Sequence, residues 1–369
     1  MLSLYVGRKN RDVALQHLYR LYPQLLHFSN ISTHPFPKSS LSFHITHAAF
    51  HSLGSLIHNL FHFPLIRSSP QNFPVSLHSM IPQPVVDFCS QNGYGKIRNA
   101  TPLGGGCINN AARLETENGA LFLKTNERCP SDMFEREAEG LNALAGFPSP
   151  ASERGEAIRV PKVFLFSTNF VLLEYIESGS RKNNFWETLG EQLARLQLRT
   201  SPRFGFDHDN YIGYTPQINT WEEDGYKFFA EHRLLYQAEL ARKNHLLDSA
   251  NYQLLITLLK KLPALIPPQP ASLLHGDLWS GNIHTDEGGD PVLIDPATHY
   301  GWAEAELAMM NLFGSTPDKF FKAYESARPL ESGYKERFDL YNLYHLLNHA
   351  NLFGGSYGAS VSAILKKYS

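Results

Sequence analysis

The sequence predicts an α+β chain of two lobes, a small antiparallel β lobe followed by a larger helical one. Three observations carry this. Short alternating segments joined by turn residues fill 97–176. Helix-period apolar spacing fills most of 184–369. A strand-rich island at 272–294 interrupts the helices. The expected division is a leader at 1–79, a β lobe at 80–176 and a helical lobe at 177–369.

In chain order, 83–94 reads as a first helix that stops at Gly93. Segments 97–102, 111–115 and 120–125 alternate as strands, and Asn118-Gly119 is a strong hairpin signal between the last two. A glycine-rich connection, Leu103 to Asn110, joins the first pair. Residues 132–145 space Phe134, Ala138, Leu141 and Leu144 as a helix. The Pro/Ser/Gly-rich stretch 146–157 reads as a surface loop, and 160–165 and 170–176 as two more strands. Helices are expected at 184–198, 220–247 and 251–262, the last stopped by Pro263. They resume at Ala303, with breaks near Pro317, Pro329 and Gly354-Gly355.

With 43% apolar and 18% charged residues, the 369-residue chain can close a core, which excludes general disorder. A net charge of −2 does not suit a protein that coats nucleic acid or an anionic membrane, and neither partner is expected. Three cysteines exclude a disulfide scaffold, and their spacing fits no zinc site. No run of 18 apolar residues is free of charges and histidines, so no membrane span is expected. The charge is unevenly spread. Residues 1–79 hold one acid, Asp12, against six Lys/Arg, together with nine of the 17 histidines and twelve serines. Acid-poor, Ser-rich and mildly basic is the composition of an organellar transit segment, and also of translated sequence ahead of a true start. The expectation is a leader without a folded domain. The chain is then cytoplasmic, or organellar if the leader is a transit peptide.

The chemistry concentrates in the island. It reads His275-Gly-Asp277-Leu-Trp279-Ser-Gly-Asn282, then Val292-Leu-Ile-Asp295-Pro-Ala297. Gly288-Gly289 folds the intervening stretch back as a hairpin, which sets Asn282 beside Asp295. An amide oxygen and a carboxylate form a hard donor pair suited to Mg²⁺. Asp277 is left to accept a hydroxyl proton, the task phosphoryl transfer requires. Singly, each of these is an ordinary loop or capping residue. Together their spacing matches Asp-x-x-x-x-Asn with a later metal Asp. Gly104, Gly105 and Gly106 read as a phosphate cover and Lys124 as the strand lysine. Glu137 reads as its helix partner, preferred over Glu135 and Glu139 because Phe134 and Leu141 mark the packed stripe.

Leu274-His-Gly-Asp-Leu-Trp-Ser-Gly-Asn282 resembles the signature of the fructosamine kinases, or ketosamine-3-kinases. So do Gly104–Asn109, Phe134-Glu-Arg-Glu137, Ile294-Asp-Pro-Ala297, Gly213–Trp221 and Leu343–Asn348. The resemblance runs from about Met80 to the end, while 1–79 match nothing in the family. Gln197 stands where such kinases usually carry His. The resemblance implies a protein-kinase-like fold, with ATP and Mg²⁺ as cofactors. It implies phosphorylation of the 3-hydroxyl of a ketosamine, whose unstable phosphate then releases the amine. The activity is thus deglycation.

Around this centre, the backbone of Glu174, Tyr175 and Ile176 is expected to hold the adenine edge. Trp279 is expected to lay its face on the sugar or its amine substituent, with Asp209, Asn210 and Trp221 shaping the same pocket. His275 is expected to brace the loop. Cys107, directly after the glycines, is the redox candidate, able to link two chains of an otherwise monomeric protein. The other readings are an aminoglycoside or choline kinase of the same fold, and a non-catalytic binding module. Intact Lys124, Asp277, Asn282 and Asp295 speak against the last.

Overall fold

The computed structural model describes residues 81–104, 109–146 and 157–368. The leader, the loop residues 147–156, and Gly105, Gly106 and Cys107 lie outside the described residues.

Helix α1 (Gln83–Gln91) precedes a five-stranded antiparallel sheet in the order β1-β2-β3-β5-β4. Its strands are β1 (Ile97–Leu103), β2 (Asn110–Thr116), β3 (Gly119–Thr125), β4 (Val163–Phe166) and β5 (Phe170–Glu174). Helix α2 (Met133–Ala145) is inserted between β3 and β4. Strand periodicity sorts the side chains onto two faces. Leu121, Leu123, Phe170 and Leu172 pack with Ile81, Val85 and Cys89 on the α1 side. Phe122, Val171 and Leu173 pack with Phe134, Leu141 and Leu144 on the α2 side. Lys124, one residue past Leu123, therefore faces α2.

The helical lobe opens with α3 (Phe185–Gln197), followed by β6 (Thr200–Ser201) and a hairpin of β7 (Asn210–Ile212) and β8 (Thr215–Gln217). The helix expected from 220 begins only at Gly225, where the Asp224 carboxylate accepts from the N–H groups of Tyr226 and Lys227. Gly225–Lys227, a π-helical Phe228–Leu235 and Tyr236–Lys243 run on as one helix, α4. Helix α5 (Ser249–Leu265) carries Pro263 inside its last turn instead of ending there. Strand β9 (Ala271–Leu274) pairs with β6 and with β12 (His299–Gly301), and β10 (Ile283–Thr285) pairs with β11 (Pro291–Leu293). Then come α6 (Ala303–Leu312), α7 (Asp318–Ala327), α8 (Phe338–Phe353) and α9 (Tyr357–Tyr368). Among the described residues, no helix is long and apolar enough to cross a membrane.

Candidate active site

Lys124 joins the two lobes. Its Nζ donates to Glu137 Oε1 at 2.7 Å and to Asp295 Oδ1 at 2.8 Å. Burial works to lower the ammonium pKa, but the carboxylates of Asp295 and Glu137 outweigh it and hold it above the usual lysine range. Glu137 is half-buried, and its own pKa is raised, desolvation prevailing over the Lys124 charge. Glu135 and Glu139 turn to Arg136 instead.

Asp277 and Asn282 lie beyond β9, on the loop into β10. Asn282 Nδ2 donates to Asp277 O at 2.8 Å, to Asp277 Oδ2 at 3.3 Å and to Asp295 O at 3.4 Å. One amide thus gathers the three residues through its nitrogen. Burial, then the Asp295 charge, pushes the Asp277 carboxyl well above the ordinary range, while the Asn282 amide pulls the other way. Asp295 sits at φ +56°, in the left-handed region that a side chain disfavours.

The loop is braced from below. His275 Nε2 lies 2.8 Å from Ile294 O, and Asp277 N donates to His275 Nδ1 at 3.3 Å. Sequence reasoning missed Glu306, which is 2% exposed on α6. Its two carboxylate oxygens accept from His275 N at 2.6 Å and Gly276 N at 2.9 Å. A carboxylate amid Ala-Glu-Ala-Glu-Leu-Ala-Met-Met was the available signal. Gly276 is at φ +85°, and a Cβ there would collide with Ala297 O.

The remaining expected residues are placed as follows. Trp279 is 39% exposed and its indole lies across Gly281, 2.3 Å from where a Cβ would stand; it meets Phe313 edge-on with ring centroids 6.4 Å apart. Glu174 closes β5 with its carboxylate on Arg159 at 2.7 Å, a partner the sequence did not suggest. Arg159 also donates to Asp286 Oδ2 at 2.8 Å, tying this junction to the β10–β11 hairpin. The Tyr175 ring lies under Arg113, and Ile176 O lies 3.3 Å from His284 Nε2. A Cβ on Gly104 would meet no described atom within 4 Å. Asn210 departs from expectation: it is buried and its amide donates to Thr298 O at 2.8 Å, so it buttresses the backbone after Asp295 instead of facing a substrate. Asp209 is exposed, with Oδ1 accepting from Asn219 N at 2.7 Å. Trp221 stacks at a tilt on Tyr300, under Arg203. Of the described cysteines, Cys89 is buried and Cys129 half-buried; burial raises both thiol pKa values, so neither is an activated thiolate.

A sheet lysine paired to a helix acid, facing an Asp/Asn loop and a hairpin Asp, is a phosphotransferase arrangement. The family model for fructosamine kinase matches residues 83–369. The chain belongs to the fructosamine kinase family. The chloroplastic protein-ribulosamine 3-kinase of Arabidopsis thaliana is 40% identical over 318 residues, covering 83% of this chain and 94% of that one. A ketoamine kinase candidate of Synechocystis is 40% identical over 280 residues, covering 74% of this chain and 90% of its own length. A solved structure of a fructosamine-3-kinase candidate from Thermobifida fusca superposes with a TM-score of 0.69 at 30% identity, covering 78% of this chain and 98% of that one. An aminoglycoside phosphotransferase at 15% identity and TM-score 0.51 shares the fold alone, with coverages of 78% and 99%. This fructosamine kinase is an ATP-using phosphotransferase with the protein-kinase-like fold. One expectation changes: the Arabidopsis alignment takes in a larger share of the chain than residues 80–369 provide, so it extends ahead of Met80.

Proposed function

We propose that this fructosamine kinase transfers the γ-phosphoryl group of ATP to the 3-hydroxyl of a ketose bound to an amine. The observation that carries the reading is Lys124 bonded at once to Glu137 and Asp295, with Asp277 and Asn282 gathered beside Asp295. Lys124 neutralises the inner phosphates, the Gly104–Gly106 loop covers them, and the backbone at Glu174–Ile176 takes the adenine edge. Asp277 accepts the proton of the attacking hydroxyl. The Asn282 amide oxygen and the Asp295 carboxylate, whose side chain is 47% exposed, fit Mg²⁺ as hard oxygen donors. When bound there, the cation supplies charge neutralisation for the phosphates. Trp279 gives the sugar or its amine substituent a flat face. The acid-poor leader, together with an alignment that reaches into it from a chloroplastic relative, supports the organellar reading over the cytoplasmic one.

A coupled ADP-release assay with a small ketosamine, an aminoglycoside and choline tests this. The expected result is turnover of the ketosamine alone. Asp277→Asn should lower that turnover by about 10²–10⁴-fold with nucleotide binding kept. No ADP from the ketosamine would refute the substrate; an Asp277→Asn rate within a few-fold of wild type would refute the base.

A further inference from the structure

Three features stand outside the reaction as read so far. Asp295 holds a left-handed backbone. The Gly213–Trp221 segment, one of those that resemble the family, has no part in the reaction as proposed above. Arg233 is 2% exposed and forms no ion pair among the described residues. Hydrogen bonds run from Arg233 through this part of the chain to the backbone two and three residues past Asp295.

Arg233 projects from the π-helical stretch of α4, with its guanidinium over the Phe228 ring at 4.5 Å and the Tyr344 ring at 5.5 Å. Its Nη1 donates to Ile218 O at 2.5 Å and its Nη2 to Asn219 Oδ1 at 2.7 Å. A guanidinium only donates, so Asn219 must present its oxygen there. The Asn219 amide nitrogen then points the other way and donates to Asn210 Oδ1 at 3.0 Å. With its oxygen so engaged, Asn210 donates from Nδ2 to Thr298 O at 2.8 Å. A second branch runs alongside. Tyr344 OH donates to Gln217 Oε1 at 2.8 Å, which leaves Gln217 Nε2 to donate to Asn210 Oδ1 at 2.7 Å and Ala297 O at 3.0 Å. Each amide has one orientation, set by the cation at the head of the chain. Both branches end on carbonyls two and three residues past Asp295.

Asn210, Gln217 and Asn219 are all buried, so none of these donors can be replaced by bulk water. Burial lowers the Arg233 pKa to about 10, which leaves the guanidinium charged at neutral pH. On its other flank the same segment meets α2, where a Cβ on Gly140 would stand 2.9 Å from Thr298 Oγ1. The backbone at 297–298 therefore cannot move toward α2, and the amide chain keeps it from moving away.

We propose that Arg233, Asn219, Asn210 and Gln217 are positioning residues that hold Asp295 in its metal-binding conformation through the carbonyls of Ala297 and Thr298. The proposal rests on Asp295 being a Mg²⁺ ligand. The near-isosteric Asn210→Asp and Gln217→Glu replace the terminal donors by acceptors and leave shape unchanged. In calorimetric titrations of AMP-PNP with Mg²⁺ and without it, each variant should weaken the Mg²⁺-dependent binding by about 10–100-fold. Metal-free binding should move less than twofold. In steady state, the Mg²⁺ concentration for half-maximal rate should rise while KM for the ketosamine holds. A parallel loss with and without Mg²⁺, or a lowered melting temperature with unchanged Mg²⁺ dependence, would reduce the chain to a purely structural role. If either variant fails to fold, Tyr344→Phe, which removes one hydroxyl, gives the same readout in smaller measure. Wild type without Mg²⁺-dependent binding would overturn the metal reading itself, an outcome distinct from unresponsive variants on a responsive wild type.

Discussion

His275 braces the catalytic loop as a neutral ring. Its Nδ1 accepts from Asp277 N–H, which assigns the ring proton to Nε2, facing Ile294 O. Burial lowers its pKa to about 4. An unfolded chain takes up that proton below about pH 6.5, the folded ring only near 4, so this group's contribution to stability falls as pH drops from 6.5 to 4. Glu306 beneath it runs the opposite way. Burial raises its carboxyl to about 7, so the folded state keeps a proton that the unfolded chain loses near 4.5, and stability falls as pH rises across that window. The two slopes oppose each other, and an acid melt does not separate them. NMR titration of the His275 ring does: its ring protons should show no midpoint between pH 5.5 and 8. A midpoint near 6.5 would contradict the buried neutral ring. At this scale the sequence singled out Lys124, Glu137, Asp277, Asn282 and Asp295, which the structure gathers, because the spacing of such a set is constrained by chemistry. Glu306 and Arg159 act through other residues from distant elements, and no local spacing records that.

At the scale of elements, the packing of α3 on α7 depends on a residue without a side chain. A Cβ on Gly190 would stand 2.5 Å from Phe320 O and 3.1 Å from Tyr324 N, both backbone atoms of α7. Alanine gains up to about 1 kcal/mol of helix propensity there. Forcing two packed helices apart costs about 1–3 kcal/mol. Gly190→Ala should therefore lower Tm by several degrees in a thermal melt and leave the folded fraction's specific activity intact; an equal or higher Tm would show that the helices can separate freely. The elements that were legible beforehand are those whose apolar residues point inward. Strands β2 and β3 meet around Asn118-Gly119 with Leu114, Leu121 and Leu123 turned to one core, and α2 shows its stripe through Phe134 and Leu141. The β7–β8 hairpin was not legible. Three of its four inward residues, Asn210, Thr215 and Gln217, are polar and only Ile212 is apolar, so hydrophobic alternation is lost. The polar choice that hides the hairpin from sequence reading supplies the amide chain to Asp295. Likewise, the apolar period through 220–247 cannot distinguish α- from π-helical winding, and the cap at Asp224 moves the start past Trp221.

For the whole molecule, the same hairpin ties the lobes. Tyr211 OH donates to Asp132 Oδ1 at 2.6 Å at the entry to α2, and Asn126 Nδ2 donates to Tyr214 OH at 2.8 Å from the end of β3. His208 Nδ1 lies 3.2 Å from Glu139 on α2. With these contacts and the Lys124 pairs in place, the candidate site is assembled, among the described residues, from side chains after Met80. Among the described residues, the first with a place in the core is Ile81, 8% exposed beside Val85 and Leu121, and Pro82 leads directly into α1. The family model likewise begins at residue 83. A chain started at Met80 should therefore fold with the Tm of the full-length protein and phosphorylate the ketosamine with unchanged kcat/KM, compared side by side in melts and the ADP-release assay. The Arabidopsis alignment makes this a demanding test, because it places some family-like sequence ahead of that point. A drop of several degrees in Tm, or a tenfold loss in kcat/KM, would mean that part of 1–79 belongs to the enzyme. Equal values would leave the leader the role of an address, to be read by attaching it to a passenger protein.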